Sequence, residues 1–275
     1  MEHSPRLAVF VLAVAALFAG ACAAPFDPGE EDAGDAASQA VRSDNALTSN
    51  ALTSNALTSN ALTSNALTSN ALTAGALARN PLTAAALRDP AARSVLKYIA
   101  GCALPAGERI LLEIDGVEVA FVGELGLAPR WGEKGGACDA ECRSWVSGCV
   151  LARLNYLGEK VSISLRGDHE GLRANKAERR AYPRQEATYY GDIFAEEPLY
   201  YACLAPGASS IPRVCGPSLD GCVLDVVGPC GAACEKQRDD GSFPGCRAMV
   251  RGRSGELRPD EPPYPGSLSV FLEER

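Results

Sequence analysis

The side chains able to do chemistry are few, and they cluster in the second half of the chain. Outside the N-terminal leader there is a single histidine, His169, in the run Ser164-Leu165-Arg166-Gly167-Asp168-His169-Glu170. One imidazole excludes a histidine-rich metal site but is enough for a Ser-His-Asp hydrolase, in which a carboxylate orients the ring towards a hydroxyl. The Gly-x-Ser-x-Gly elbow that would present such a hydroxyl is absent. A solvated histidine in a charged loop is the plainer expectation. Arg166-Gly167-Asp168 spells a short cell-adhesion tripeptide, yet three residues match easily by chance, and a turn after a strand is expected instead. Glu186, Asp192, Glu196 and Glu197 lie among Tyr182, Tyr189, Tyr190, Tyr200 and Tyr201. Carboxylates beside aromatic rings suit a carbohydrate cleft with an acid/base pair, but no spacing here sets two of them face to face. Gly132-Glu133-Lys134-Gly135-Gly136 lacks the Gly-Lys-Ser/Thr ending of a phosphate cradle, and Asp239-Asp240-Gly241-Ser242 has too few oxygen ligands for a calcium loop. No catalytic residue, metal ligand or cofactor site is therefore assigned from the sequence.

The cysteines carry more information. There are eleven. Setting Cys22 aside leaves Cys102, Cys138, Cys142, Cys149, Cys203, Cys215, Cys222, Cys230, Cys234 and Cys246, an even set confined to one region, which reads as a disulfide framework in an oxidising compartment. Zinc sites favour a Cys-x2-Cys knuckle, and the chain has none. The formal charge of −8 and the lack of a basic stripe argue against nucleic acid as a partner.

The elements that must position these groups follow from local pattern. Pro90 opens a helix over residues 91–100 with Val95, Leu96 and Ile99 on one side. Strands 109–114 and 117–122 flank Asp115-Gly116, the dipeptide of a two-residue hairpin. Asp139 caps a helix expected to run to Leu157, with Gly158 ending it and Cys142, Trp145, Val146, Cys149, Ala152 and Tyr156 on its inward face. Cys142 and Cys149 would then sit two turns apart, about 10 Å along the axis. That is too far to bridge each other, so each needs another partner, with Cys102 and Cys138 the near candidates. Residues 160–165 read as a strand, 195–204 hold another, and 268–272 form a last strand that returns to the sheet. Between them residues 203–246 set six cysteines among Gly, Pro and Asp and depend on bridges for their shape. The fold class is α+β: a disulfide-rich domain, residues 90–275, with a β-hairpin and sheet and one main helix.

What precedes the domain concerns delivery. Residues 1–21 have the layout of a signal peptide, with Arg6 before an apolar run over 7–19 that is shorter than the ~20 residues of a membrane span. Ala19-Gly20-Ala21-Cys22 resembles the lipobox of bacterial lipoproteins, which implies acylation of Cys22. Ala19 stands where that motif usually has Leu, and cleavage after an Ala-x-Ala site is the alternative. Residues 22–44, poor in apolar side chains, form a disordered linker. Residues 45–89 repeat Asn-Ala-Leu-Thr-Ser, with leucines every five residues from Leu47 to Leu87. Successive leucines would step about 140° around a helix, so no helical face is apolar, and an odd period alternates the faces of a strand. Period five suits a square pentapeptide-repeat solenoid, but Asn would then point into a narrow core. A flexible low-complexity spacer is expected in preference to a short solenoid.

With Cys22, the Asn-Ala-Leu-Thr repeats and blocks such as Gly126-Leu127-Ala128-Pro129-Arg130-Trp131, the chain resembles the uncharacterised repeat-bearing, cysteine-rich lipoproteins of bacteria. The resemblance implies an address, an outer-membrane lipoprotein facing the periplasm or the cell surface, and no reaction. The expected function is a non-enzymatic module, anchored to the membrane by lipid, that binds a protein or glycan or serves envelope structure. The alternative is a secreted hydrolase built on His169 or a carboxylate pair.

Overall fold

The computed structural model describes residues 46–48, 51–52, 65–251, 256–260 and 262–274. The signal peptide, Cys22 and the linker 22–44 lie outside the described residues.

An α+β body is built on a five-stranded sheet of order β3-β9-β4-β5-β6, made of β3 (Ile163–Arg166), β4 (Arg184–Asp192), β5 (Leu199–Leu204), β6 (Asp225–Pro229) and β9 (Leu268–Leu272). Only the β5–β6 pair is parallel; the other pairs are antiparallel. The hairpin of β1 (Arg109–Ile114) and β2 (Val117–Val122) turns at Asp115 and Gly116, whose φ of 51° and 78° are the double left-handed pair that Asp-Gly supplies. A short ribbon pairs β7 (Met249–Arg251) with β8 (Leu257–Pro259).

Residues 65–89 depart from the flexible spacer expected there. After one turn at Asn65–Thr68 come helices α1 (Ala74–Arg79) and α2 (Pro81–Ala86). Thr73 caps the first and Asn80 the second, and Pro81 opens α2 at the position where a missing N–H costs nothing. Leu67, Leu72, Leu77 and Leu87 are buried in the main core, whereas Leu82 is 56% exposed, so the five-residue period breaks once the other repeat positions decay. Further back, Leu47 and Leu52 are fully buried as well, and the Asn155 N–H donates to the Leu47 carbonyl. The ordered body thus takes in part of the repeat and does not begin at Pro90.

Helix α3 (Pro90–Ala103), capped by Asp89, buries Val95, Leu96 and Ile99. Helix α4 (Ala140–Ala152), capped by Asp139, lies on β4 and β9. It stops five residues short of the expected Leu157 because the next amides have other acceptors: Asn155 bonds Leu47 and Tyr156 bonds the Arg213 carbonyl. Tyr156 is consequently exposed rather than inward-facing. The helix approaches the chain before β9 closely: a Cβ on Gly148 would collide with the Gly266 carbonyl, and one on Gly266 with the Ser144 backbone. Ser144 and Ser147 accept hydrogen bonds there from the Gly266 and Ile193 amides. Shorter helices α5 (Lys176–Ala181), α6 (Pro212–Cys215) and α7 (Cys230–Ala233) complete the body.

All ten cysteines of the region pair: Cys102–Cys149, Cys138–Cys142, Cys203–Cys230, Cys215–Cys222 and Cys234–Cys246. Cys142 and Cys149 do find separate partners, and these are Cys138 and Cys102.

Candidate functional site

A cleft of about 550 Å³ opens where the glycine-rich loop meets the start of α4. Its wall runs from Leu127 through the 3₁₀ turn Pro129–Gly132 and Glu133, Lys134, Gly135 and Gly136, then over Asp139, Glu141 and Cys142 on the helix side to Trp145 and His169. The loop is held from behind by the repeat segment. The Leu72 N–H donates to the Trp131 carbonyl at 2.8 Å, the Trp131 indole N–H to the Asn70 carbonyl at 2.9 Å, and the Cys138 N–H to the Thr68 carbonyl at 2.7 Å. Gly135, at φ 80°, turns the loop where a side chain would be strained.

His169 is half-buried at the end of the segment that follows β3, and its ring meets Trp145 edge-on at 5.0 Å. Its Nδ1 accepts from the Gly171 N–H at 3.1 Å, capping the short turn Glu170–Leu172. Burial lowers the imidazole pKa, opposed by the charges of Glu141 and Glu170 and by a hydrogen bond to the Leu127 backbone. In a hydrolase triad Nδ1–H must donate to a carboxylate. Here Nδ1 is an acceptor, so the neutral ring carries its proton on Nε2. No Ser or Thr is among the residues lining the cleft. The groups present offer donors and acceptors of both charges, Arg130 and Lys134 with Glu133, Asp139 and Glu141, beside the borders of two indoles. They can hold a polar ligand.

The carboxylates among the tyrosines do not form an acid/base pair: Glu186 and Asp192 are engaged by arginines. Glu186, buried on β4, is gripped by the Arg213 guanidinium and accepts from the Tyr189 hydroxyl at 2.8 Å. Burial alone would lower the Arg213 pKa, but Glu186 and Tyr189 outweigh it and raise it, while burial first and Glu186 second raise that of Tyr189. Asp192 sits 3.5 Å from Arg143 and accepts from the Phe194 amide, and Glu196 and Glu197 point to solvent. Tyr190, Tyr201 and Tyr264 pack against one another with centroids 5.7–5.9 Å apart, which leaves no gap for a sugar ring between them. Tyr182 is buried, and its carbonyl accepts from Arg166.

Arg166 is buried too. Its guanidinium lies 3.6 Å over the Phe271 ring and donates to the Asp240 and Tyr182 carbonyls, while Asp168 pairs with Arg238 at 2.6 Å. The Arg-Gly-Asp run is therefore not displayed. Asp239–Ser242 forms a turn closed by the Asp240 side chain on Ser242.

Of the residues singled out in the sequence, the structure brings together His169, the glycine-rich loop and the Cys142/Trp145 face of α4. The joining of these three was not foreseen. The shared face of Cys142 and Trp145 was readable from three-residue spacing, but the loop that closes over it is placed by long-range bonds to residues 68–72. Compared with protein-family models, with curated proteins and with solved structures, the chain matches none.

Proposed function

We propose that the chain is a lipid-anchored protein of the bacterial cell envelope, attached to the outer membrane through Cys22, whose body binds a saccharide in the cleft between the glycine-rich loop and α4 and does not transform it. Five disulfides tying one body together support export to an oxidising compartment. No helix among the described residues is long and apolar enough to cross a membrane, so attachment falls to the acyl chains.

The observation that carries the binding reading is the cleft. Its volume falls in the range of small-ligand sites, and its lining mixes donors, acceptors and aromatic edges without a hydroxyl nucleophile. Neutral sugars present alternating donors and acceptors that such a lining satisfies without a net charge match. The test has two arms. Metabolic labelling with a fatty acid is expected to mark the wild type and not Cys22→Ala; label that persists in the variant overturns the anchor. Titration of envelope-derived oligosaccharides, followed by Trp fluorescence, is expected to give saturable binding that Lys134→Ala with Glu141→Ala weakens at least tenfold. Equal binding by the variant overturns the cleft assignment.

A further inference from the structure

Of the five bridges, Cys102–Cys149 closes the longest loop and three hold the cysteine-rich stretch from β5 to β7; the fifth does neither. Cys138 and Cys142 are four positions apart, against separations of 47, 27, 12 and 7 for the others. A bridge stabilises through the loop it closes, and this loop is the shortest. The backbone around it is fixed independently: the Cys138 N–H by Thr68, the Cys142 N–H by the Asp139 carboxylate at 2.9 Å, and the Arg143 N–H by the Asp139 carbonyl. Its setting also differs. Cys102 and Cys149 are fully buried; Cys142 is partly exposed, as Cys222 and Cys234 are, and it forms part of the wall of the cleft.

We infer that Cys138–Cys142 is a redox-active disulfide that exchanges with thiols entering the cleft, its substrate class being a dithiol such as a peptide bearing two cysteines. This goes beyond the binding reading and does not need it, because exchange requires only access to Cys142. An incoming thiolate attacks Sγ of Cys142, the more exposed residue of the pair. The Cys138–Cys142 bond breaks, Cys138 leaves as a thiolate, and a mixed disulfide remains on Cys142. The substrate's second thiol then attacks its own sulfur in that mixed disulfide and displaces Cys142. Two electrons and two protons pass from the dithiol to the protein, which ends as two thiols while the substrate ends as a disulfide.

The surroundings suit Cys142 as leaving group. It lies in the first turn of a thirteen-residue helix, whose amides favour a thiolate, and Lys134 and Arg130 share the cleft. Asp139 and Glu141 act in the opposite sense. His169 lines the same space.

The full chain incubated in glutathione redox buffers of decreasing potential, then alkylated and mapped by mass spectrometry, tests this. Cys138 and Cys142 are expected to open first and to close again on reoxidation, with the circular dichroism unchanged. Cys138→Ser is expected to accumulate a glutathione adduct on Cys142 when mixed with oxidised glutathione. Cys138→Ser with Cys142→Ser should keep its melting temperature within a few degrees while losing all exchange. The inference is overturned if another pair opens first, if Cys142 forms no adduct in the folded single variant, or if the double variant melts as low as one lacking Cys102–Cys149. None of these readouts contains a saccharide, so its failure and that of the binding reading are told apart.

Discussion

Two regions of the same body reach compactness by different means. Around α3 and α4, Val95, Leu96, Ile99, Val150 and Leu151 are fully buried in one continuous apolar core, and the Cys102–Cys149 bridge runs through the middle of it. Between β5 and β7 the chain has little such material. A second, smaller cluster forms from Tyr190, Cys203, Cys230, Ala233, Phe243 and Cys246, half of them cysteines. The Cys203 and Cys234 sulfurs, from two different bridges, lie 3.4 Å apart. Where leucine and valine are scarce, sulfur supplies both the apolar volume and the cross-link.

The joint between the regions offers the sharpest way to break that comparison. Arg213, in the cysteine-rich stretch, reaches Glu186 on β4, and both side chains are 5% exposed. Glu186→Gln leaves a guanidinium buried without its counter-charge and is expected to cost about 3–5 kcal/mol by denaturant unfolding. A loss under 1 kcal/mol would mean that the two regions are not coupled through this pair. Next, removal of the Cys203–Cys230 bridge by Cys203→Ala with Cys230→Ala is expected to cost roughly 3.5 kcal/mol from the loop it closes. Limited proteolysis should then cut within residues 205–245 and spare α3 and α4; cuts spread evenly over the chain would show that the stretch is not held locally by sulfur.

The smallest effect concerns the cleft. Burial holds the folded-state pKa of His169 below the ~6.5 of an unfolded histidine. Between those two values the unfolded chain binds more protons, so stability rises with pH through that window. Acidification below about pH 6.5 should therefore lower the melting temperature slightly, and the fall should level off below the folded-state value. His169→Gln should remove that component from a series of melts between pH 8 and 5. An unchanged slope would show that the ring titrates as freely in the fold as outside it.

What the sequence made legible was local. The hairpin at Asp115-Gly116, the Asp139 cap, the helix after Pro90 and the strand over residues 268–272 each follow from neighbours along the chain. β4 was not foreseen because it is central and buries Glu186 and Thr188 along with its tyrosines, so it shows no alternation of polar and apolar residues. The helices at residues 74–86 were hidden by the leucine period, although Thr73 and Asn80-Pro81 are ordinary helix starts. In the candidate site, His169, Lys134 and Cys142 were each visible as residues. Their meeting depends on hydrogen bonds from residues 68–72 to the far side of the loop, which no spacing announces.

The position of β9 has a temporal consequence. It lies between β3 and β4, and its serine Ser269 shares a hydrogen bond with Thr188 at 2.6 Å. Until residue 272 is present, the two strands on either side have nothing to join them, and β3 stands apart from β4, β5 and β6. A chain that is threaded through a translocation channel must not fold beforehand. One in which the strand joining β3 to β4 arrives after both is kept waiting by its own topology.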